Sequence, residues 1–324
     1  MYKNKIIFIA PLDWGLGHAA RCVPLIKRLS LNNTVILGIT PITQLIFDNE
    51  FPELKKINIE PYQISYSKRL PILLGLLLHY SRLKRVIKKE HTQLKQLVLE
   101  NQIDVVISDN RLGLYHANVE SIYMTHQLDI QAGIFSRVAN RIHQGYMKNF
   151  DAIWIPDFEN EQQSLAGKLS HSSPLKNSNY IGPLSRLEKN TSSDLNLDYL
   201  FLLSGPEPQR TKLEQALIEI ANKTDKKIAL VRGTNQILKT NVLSHITRYD
   251  LPNAETLSKL VANADTIICR SGYSSLMDMH NLKKTKLILI PTPSQKEQVY
   301  LANYWKEKFG AKIIEQSKLK HLKL

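Results

Sequence analysis

Short runs of apolar residues alternate with longer helical patterns along the first half of the chain. Such runs predict parallel strands that are covered on both faces, because those strands are apolar throughout. The helical patterns include a first crossover at Pro24–Leu31 and a long helix from Pro71 to Glu100. This alternation predicts a doubly wound parallel sheet. Its six strands are predicted at Ile6–Ala10, Thr34–Ile39, Lys56–Glu60, Ile103–Asp109, Glu120–Met124 and Asp151–Pro156.

The alternation stops near Ile181 and restarts after the polar segment Glu188–Asp194, which we interpret as a linker. A chain of 324 residues is also long for one domain. We therefore predict two Rossmann-like α/β domains that face a cleft, residues 1–183 and 184–324. The strands of the second domain are predicted at Tyr199–Leu203, Lys227–Val231, Val242–Arg248, Thr266–Cys269 and Leu287–Ile290.

The formal net charge of +14 favours an anionic partner, such as a nucleotide, a nucleic acid or a lipid headgroup. Cys22 and Cys269 lie in separate apolar contexts, which predicts packed thiols in a reducing compartment. The first apolar run is too short for a signal peptide, and Leu70–Leu78 is about half a bilayer span. We expect a cytoplasmic protein, either free or attached to the cytoplasmic face of a membrane.

A glycine loop, Gly15-Leu-Gly17-His18, follows the first strand and opens the first helix. Dinucleotide binding would require an acidic residue at the end of the second strand, where none occurs. His18 is instead predicted to project into the cleft, where a neutral imidazole accepts a proton from a hydroxyl group. Asp109 ends a strand on the same rim and can orient it. We place the acceptor near Asp13, Trp14 and His126.

The stretch Cys269–Asp278 is the strongest signal in the second half. It contains a strand end, a glycine turn and a helix start, which together place free N–H groups at the carboxyl edge of the sheet and favour a phosphate. Ser275 and Asp278 also have the spacing of a capping box. Asp278 can therefore either bind a ribose or cap the helix.

Three further loops of the second domain are predicted to reach the same edge. Ser204-Gly205 precedes a helix that begins with Arg210, Arg232 ends a strand, and Gln295–Gln298 follows the last strand. The sequence has no Asp-x-Asp, no Walker lysine loop and no Gly-x-Ser-x-Gly. Metal-bound nucleotide-sugar chemistry, P-loop NTPases and serine hydrolases therefore lose support, and no metal is expected.

In these motifs the chain resembles GT-B glycosyltransferases and, among them, the MurG-like enzymes, which have a family 28 C-terminal domain. The likeness lies in Gly15–His18, in Cys269–Asp278 and in Pro291–Asn303. It implies inverting transfer from a UDP-sugar, with UDP-N-acetylglucosamine as an example, to a hydroxyl acceptor that can be a lipid-linked precursor of the cell envelope. It implies donor contacts from Gly17, Ser204, Gly205, Arg210, Arg232, Leu251, Arg270, Ser271, Gly272, Ser274, Ser275, Asp278, Gln295, Glu297 and Gln298.

Two other functions stay open at this point. A UDP-sugar hydrolase of the same fold would use His18 on water, and a nucleic-acid-binding protein would follow from charge alone. For the long helix, an apolar face buried in its own domain competes with a membrane-facing surface around Arg82, Arg85 and Lys89.

Overall fold

The structure is a computed structural model that describes residues 2–62, 72–131, 133–172, 175–189, 195–237 and 240–324; of residues 72–80 and 134 it describes the backbone only. Within these ranges, the first half forms a seven-stranded sheet in the order β3-β2-β1-β4-β5-β6-β7, with every ladder parallel. Its elements are β1 (Ile6–Pro11), α1 (Leu16–Ser30), β2 (Thr34–Ile39), α2 (Pro41–Glu50), β3 (Lys55–Asn58), α3 (Ile72–Asn101), β4 (Val105–Asp109), β5 (Glu120–Met124), α4 (Ser136–Met147), β6 (Ala152–Ile155), α5 (Lys168–His171) and β7 (Ser178–Tyr180).

The second half forms a six-stranded sheet over its described residues, in the order β10-β9-β8-β11-β12-β13, again with parallel ladders. Its elements are β8 (Leu197–Leu202), α6 (Gln209–Ala221), β9 (Ile228–Val231), β10 (Ile246–Tyr249), α7 (Ala254–Asn263), β11 (Ala264–Cys269), α8 (Tyr273–Asn281), β12 (Leu287–Leu289), α9 (Lys296–Phe309) and β13 (Lys312–Ile313).

The predicted fold class, with two doubly wound parallel sheets, is confirmed. The sequence missed two short edge strands, β7 and β13, because three and two residues are too few for a periodicity to be recognised. The strand predicted at Val242–Arg248 begins later, at Ile246. Cys22 and Cys269 are buried free thiols, as predicted.

The long helix α3 packs its apolar face against the first sheet. Ile87, Leu94 and Val98 are buried there, which confirms the interpretation of an internal face. The apolar run Leu70–Leu78 lies outside the residues whose side chains the structure describes. In the described part of the chain, no helix is both long enough and apolar enough to cross a bilayer.

A short segment before the second domain packs into that domain's core. Leu165, Ala166 and Leu169 are fully buried in one cluster with Trp305 of α9. The indole of Trp305 donates to the carbonyl of Leu165 at 2.9 Å, and the hydroxyl of Tyr304 donates to the carbonyl of Ser164 at 2.8 Å. Part of the predicted linker, residues 190–194, lies outside the described ranges.

Candidate active site

The carboxyl ends of β1 and β4 bring His18 and Asp109 together. These strands are adjacent, and Pro11 is opposite Asp109 in their ladder. After β1, Gly15 adopts a φ of 102°, which turns the chain into α1 and places His18 in its first turn. The Nδ1 atom of His18 lies 3.2 Å from both carboxylate oxygens of Asp109. The predicted pairing of the histidine with this aspartate is therefore present in the geometry.

The carboxylate of Asp109 belongs to a larger buried network. Arg21, one helical turn after His18, binds it with two nitrogens, Nε at 2.8 Å and Nη2. Its third nitrogen, Nη1, lies 2.8 Å from Nδ1 of His126. Nε2 of His126 lies 2.9 Å from Glu297 of the second domain. His126 thus connects the two walls of the cleft.

These contacts fix the proton positions at His18. Burial would raise the pKa of Asp109, but the guanidinium of Arg21 and the imidazole of His18 hold it well below its usual range. An ionised carboxylate only accepts hydrogen bonds, so Nδ1 of His18 must carry the hydrogen. In the neutral ring Nε2 then has the lone pair, which is the form a general base requires. The His18 side chain is 17% exposed and can reach a ligand.

Asp13 and Trp14 both bind the backbone of Tyr62. The carboxylate of Asp13 is buried; it accepts from the amide of Tyr62 at 3.1 Å and lies 3.7 Å from Arg111. The indole of Trp14 donates to the carbonyl of Tyr62 at 3.2 Å, and the residue is 50% exposed. Of the three predicted acceptor-side residues, Trp14 is accessible, whereas Asp13 and His126 are buried.

The opposite wall of the cleft is the start of helix α8. Its N-cap is Gly272, without a side-chain cap, so the capping box predicted for Ser275 and Asp278 is wrong. The helix starts before both residues and contains them. The hydroxyl of Ser274 donates to the carbonyl of Gly17 across the cleft at 2.9 Å. The first N–H groups of a helix lack partners within it and favour an anion.

A cleft of about 710 Å³ separates the two walls. Among the described residues that line it, Glu50, Arg186 and Asp278 are ionisable, and Arg186 lies 3.4 Å from Glu50. Gly205, with a φ of 101°, turns the chain just after Ser204. The predicted site residues among its lining are Gly17, Ser204, Leu251, Ser274, Ser275 and Asp278.

Asp278 meets the segment that joins the domains. The hydroxyl of Ser185 donates to its carboxylate at 2.6 Å. Burial raises the pKa of Asp278 to about 6, although Ser185 and the charge of Arg186 oppose this. A carboxylate in this position can accept from a ribose hydroxyl as readily as from a serine.

Two predicted donor-binding arginines point into the domain and not into the cleft. Arg210 and Arg232 are buried, and both bind the carboxylate of Glu214. Arg210 also binds Glu207 at 2.6 Å, and Arg232 binds Asp250 at 2.8 Å. Direct contact with a diphosphate is therefore not supported for either arginine. Glu214, one turn after Arg210 on α6, binds both guanidinium groups within the domain.

Arg270 and the loop after β12 form a second internal network. Arg270 is fully buried and donates to the carbonyls of Ile290 and Gln209. Gln298 folds back, accepting from the amide of Thr292 and donating to Gln295. The hydroxyl of Ser271 donates to the carbonyl of Gln298 at 2.7 Å. These predicted donor residues shape the loop and do not line the cleft.

Several residues that the structure brings to the site were not predicted from the sequence. Arg21 follows His18 by three positions and so shares its helix face, a signal that was available. Glu50, Ser185 and Arg186 carried no such signal, because they meet the site only through the packing of two domains. In the described residues, no cluster of three or more His, Cys, Asp or Glu side chains is arranged to hold a metal ion.

A family model, the glycosyltransferase family 28 C-terminal domain, matches residues 206–324. Comparison with curated proteins gave no match. Solved structures are similar over nearly the whole chain. MurG of Acinetobacter baumannii aligns with a TM-score of 0.53 at 13% identity, covering 97% of this chain and 87% of that one.

Two further structures align more closely in shape. The spinosyn rhamnosyltransferase SpnG has a TM-score of 0.66 at 12% identity, covering 97% of this chain and 88% of that one. The calicheamicin glycosyltransferase CalG4 has a TM-score of 0.65 at 11% identity, covering 98% and 87%. At these identities the likeness establishes the fold.

Proposed function

We propose that this chain, a GT-B glycosyltransferase of the MurG-like type with a family 28 C-terminal domain, moves a sugar from a UDP-sugar to a hydroxyl acceptor with inversion and without a metal ion. The observation that carries the proposal is the contact between the start of α1 and the start of α8, where Ser274 donates to the carbonyl of Gly17, the residue before His18. One wall presents an oriented histidine with a free Nε2, and the other presents the uncapped start of α8. A proton acceptor and an anion site therefore face each other.

The donor would bind against the second domain. The first N–H groups of α8 and the hydroxyl of Ser275 suit a diphosphate, and the hydroxyl of Ser274 would join them on releasing the carbonyl of Gly17. Arg186 lines the same cleft and would turn from Glu50 towards the phosphates. Asp278 would hold the ribose, and Leu251 would flank the base. Two neighbouring structures support a nucleoside diphosphate here: SpnG was solved with thymidine diphosphate, and Staphylococcus aureus MnaA with UDP.

The reaction would begin at His18. Its Nε2 removes the proton of the acceptor hydroxyl, and the oxygen attacks the anomeric carbon from the side opposite UDP. The bond from that carbon to the phosphate oxygen breaks, and its electron pair leaves with UDP. Negative charge then develops beside the helix start and Arg186, which stabilise it. Attack from the opposite side inverts the anomeric centre.

The test is a thermal-shift screen of nucleotides and nucleotide-sugars, with UDP-N-acetylglucosamine among the first donors. A ligand that binds the native state raises the melting temperature by mass action. We expect UDP to stabilise the protein equally with and without EDTA. Stabilisation that EDTA abolishes would contradict the metal-free proposal. Product analysis then separates transfer to a hydroxyl acceptor from hydrolysis, in which water occupies the acceptor position.

We also propose that the acceptor is lipid-linked and is reached at an anionic membrane. Arg82, Arg85 and Lys89 on α3 are exposed and, with Glu60, line an open depression of the surface, where Lys89 pairs with Glu60 at 3.1 Å. Each cation near an anionic leaflet adds about 1 kcal/mol of attraction. The wild type should float with liposomes that contain anionic lipid, and a variant with all three cations changed to Glu should not. A wild type that stays in solution at low salt would favour a soluble acceptor.

A further inference from the structure

A continuous set of hydrogen bonds runs from the second domain to His18. It begins at Glu297 in the first turn of α9, crosses to His126 at 2.9 Å and passes to Arg21 at 2.8 Å. Arg21 binds Asp109, and Asp109 binds His18. The arrangement therefore joins residues of two domains to the single nitrogen that would accept a proton.

The direction of each bond can be assigned. The guanidinium of Arg21 only donates, so Nδ1 of His126 must accept. A neutral imidazole with one accepting nitrogen carries its hydrogen on the other, so Nε2 donates to Glu297. Burial lowers the pKa of His126, which keeps the ring neutral near neutral pH. Burial alone would raise the pKa of Glu297, but its bond to His126 lowers it, so the carboxylate is ionised.

Packing holds the ring of His126 in this orientation. It stacks on Tyr273 of α8, with ring centroids 4.3 Å apart and planes inclined by 12°. The hydroxyl of Tyr273 donates to the carbonyl of Pro156 at 2.8 Å. The second domain thus supplies both the stacking partner and the hydrogen-bond acceptor of a histidine that belongs to the first.

The orientation of His126 has consequences for Arg21. If the second domain moved away, the ring would lose both its hydrogen bond to Glu297 and its stacking on Tyr273. A ring that rotates no longer presents Nδ1 to Arg21, which leaves a buried N–H group of the guanidinium without its acceptor. Arg21 would shift, and with it the carboxylate of Asp109 that orients His18.

We propose that Arg21 and His126 are positioning residues that align His18 only while the two domains are in contact through Glu297. The inference rests on the proposed role of His18 as the base. It implies that proton acceptance is coupled to the closed cleft, so that an open enzyme does not deprotonate a hydroxyl or water unproductively.

The experiment follows ring-nitrogen resonances of the full-length protein by ¹⁵N NMR, with and without UDP. In the wild type we expect His18 to show separate protonated Nδ1 and unprotonated Nε2 signals. Glu297→Ala and His126→Ala should each replace them with exchange-averaged signals. His126→Gln should restore the wild-type pattern, because its carboxamide can accept from Arg21 and donate to Glu297.

His143→Ala is the matched control, since His143 is also buried in the first domain but bonds to Tyr123 and not to Arg21. It should leave the His18 signals unchanged. Unaltered His18 signals in folded Glu297→Ala and His126→Ala would overturn the proposal and leave the cluster a purely structural one. The absence of any response to UDP would count against the proposed function alone, because the signals of His18 in the unliganded protein still report the coupling.

Discussion

The two walls of the cleft differ in where their charged side chains lie. On the first-domain wall, Asp109, Arg21 and His126 are buried and bonded in series, with the charge placed directly behind His18. On the second-domain wall, Arg210 and Arg232 turn inward to Glu214. What faces the cleft there is a helix start with serine hydroxyls.

Under the proposed function, the two walls have different tasks. A base must be oriented, and an ion-paired network fixes a tautomer well. A diphosphate must bind and then leave, and amide groups with a helix dipole attract it without a dedicated buried cation. The inward arginines bind carboxylates of their own domain, Glu207, Glu214 and Asp250. Among the described residues that line the cleft, the cation is Arg186, which pairs with Glu50 at 3.4 Å.

The largest effect is expected when the oriented base, which distinguishes the first wall from the second, is removed. His18→Ala should lower turnover by roughly 10²–10⁴-fold and leave UDP affinity nearly intact, because the imidazole acts on the acceptor. Turnover is measured as the rate of UDP release, and UDP affinity is measured by calorimetry. His116→Ala, a histidine elsewhere in the first domain, should change neither. Near-normal turnover without His18 would remove it from the mechanism.

The second test concerns the inward arginines. Glu214→Ala should lower the free energy of unfolding by about 3–5 kcal/mol, because it leaves two buried guanidinium groups without their shared carboxylate. Denaturant unfolding measures this. Glu255→Ala, which removes an exposed pair with Lys259 on α7, should have little effect. A Glu214→Ala protein of normal stability with altered UDP affinity would mean that the arginines serve the ligand.

The third and smallest effect is expected at Asp278. Asp278→Asn should weaken UDP binding by about 1–3 kcal/mol, because a charge-assisted hydrogen bond to the ribose is lost. Asp265→Asn, on the surface, should leave the affinity unchanged. Equal UDP affinity in the Asp278 variant would exclude the ribose role.

The pH dependence of stability sharpens this test. The pKa of Asp278 is raised to about 6 from an ordinary value of 3.8, so the native state holds the proton longer than the unfolded chain. Its contribution to stability is therefore present below pH 3.8 and is lost as the pH rises to about 6. Asp278→Asn should then melt no lower than the wild type at pH 7.5. A lower melting temperature there would indicate a structural role for the carboxylate.

The sequence was sufficient for the sheets and for His18 with Asp109, because these depend on local patterns and on which strand ends share an edge. It was insufficient for Arg210 and Arg232, since the choice between a ligand and Glu214 is made by side-chain packing. The capping box failed for a related reason. Helix α8 begins at Tyr273, and Asp278 reaches Ser185, a contact 93 positions away that spacing alone does not reveal.

The burial of Leu165, Ala166 and Leu169 beside Trp305 means that the two halves are interlocked. The chain passes through the core of the second domain at these residues and returns to the first sheet at β7. It then continues to β8, the first strand of the second sheet. A fragment beginning at residue 184 would lack these three side chains and would expose the indole of Trp305 and the apolar surface around it. The unit that folds alone is therefore larger than the unit that one sheet defines, and an excised second half would be prone to aggregate.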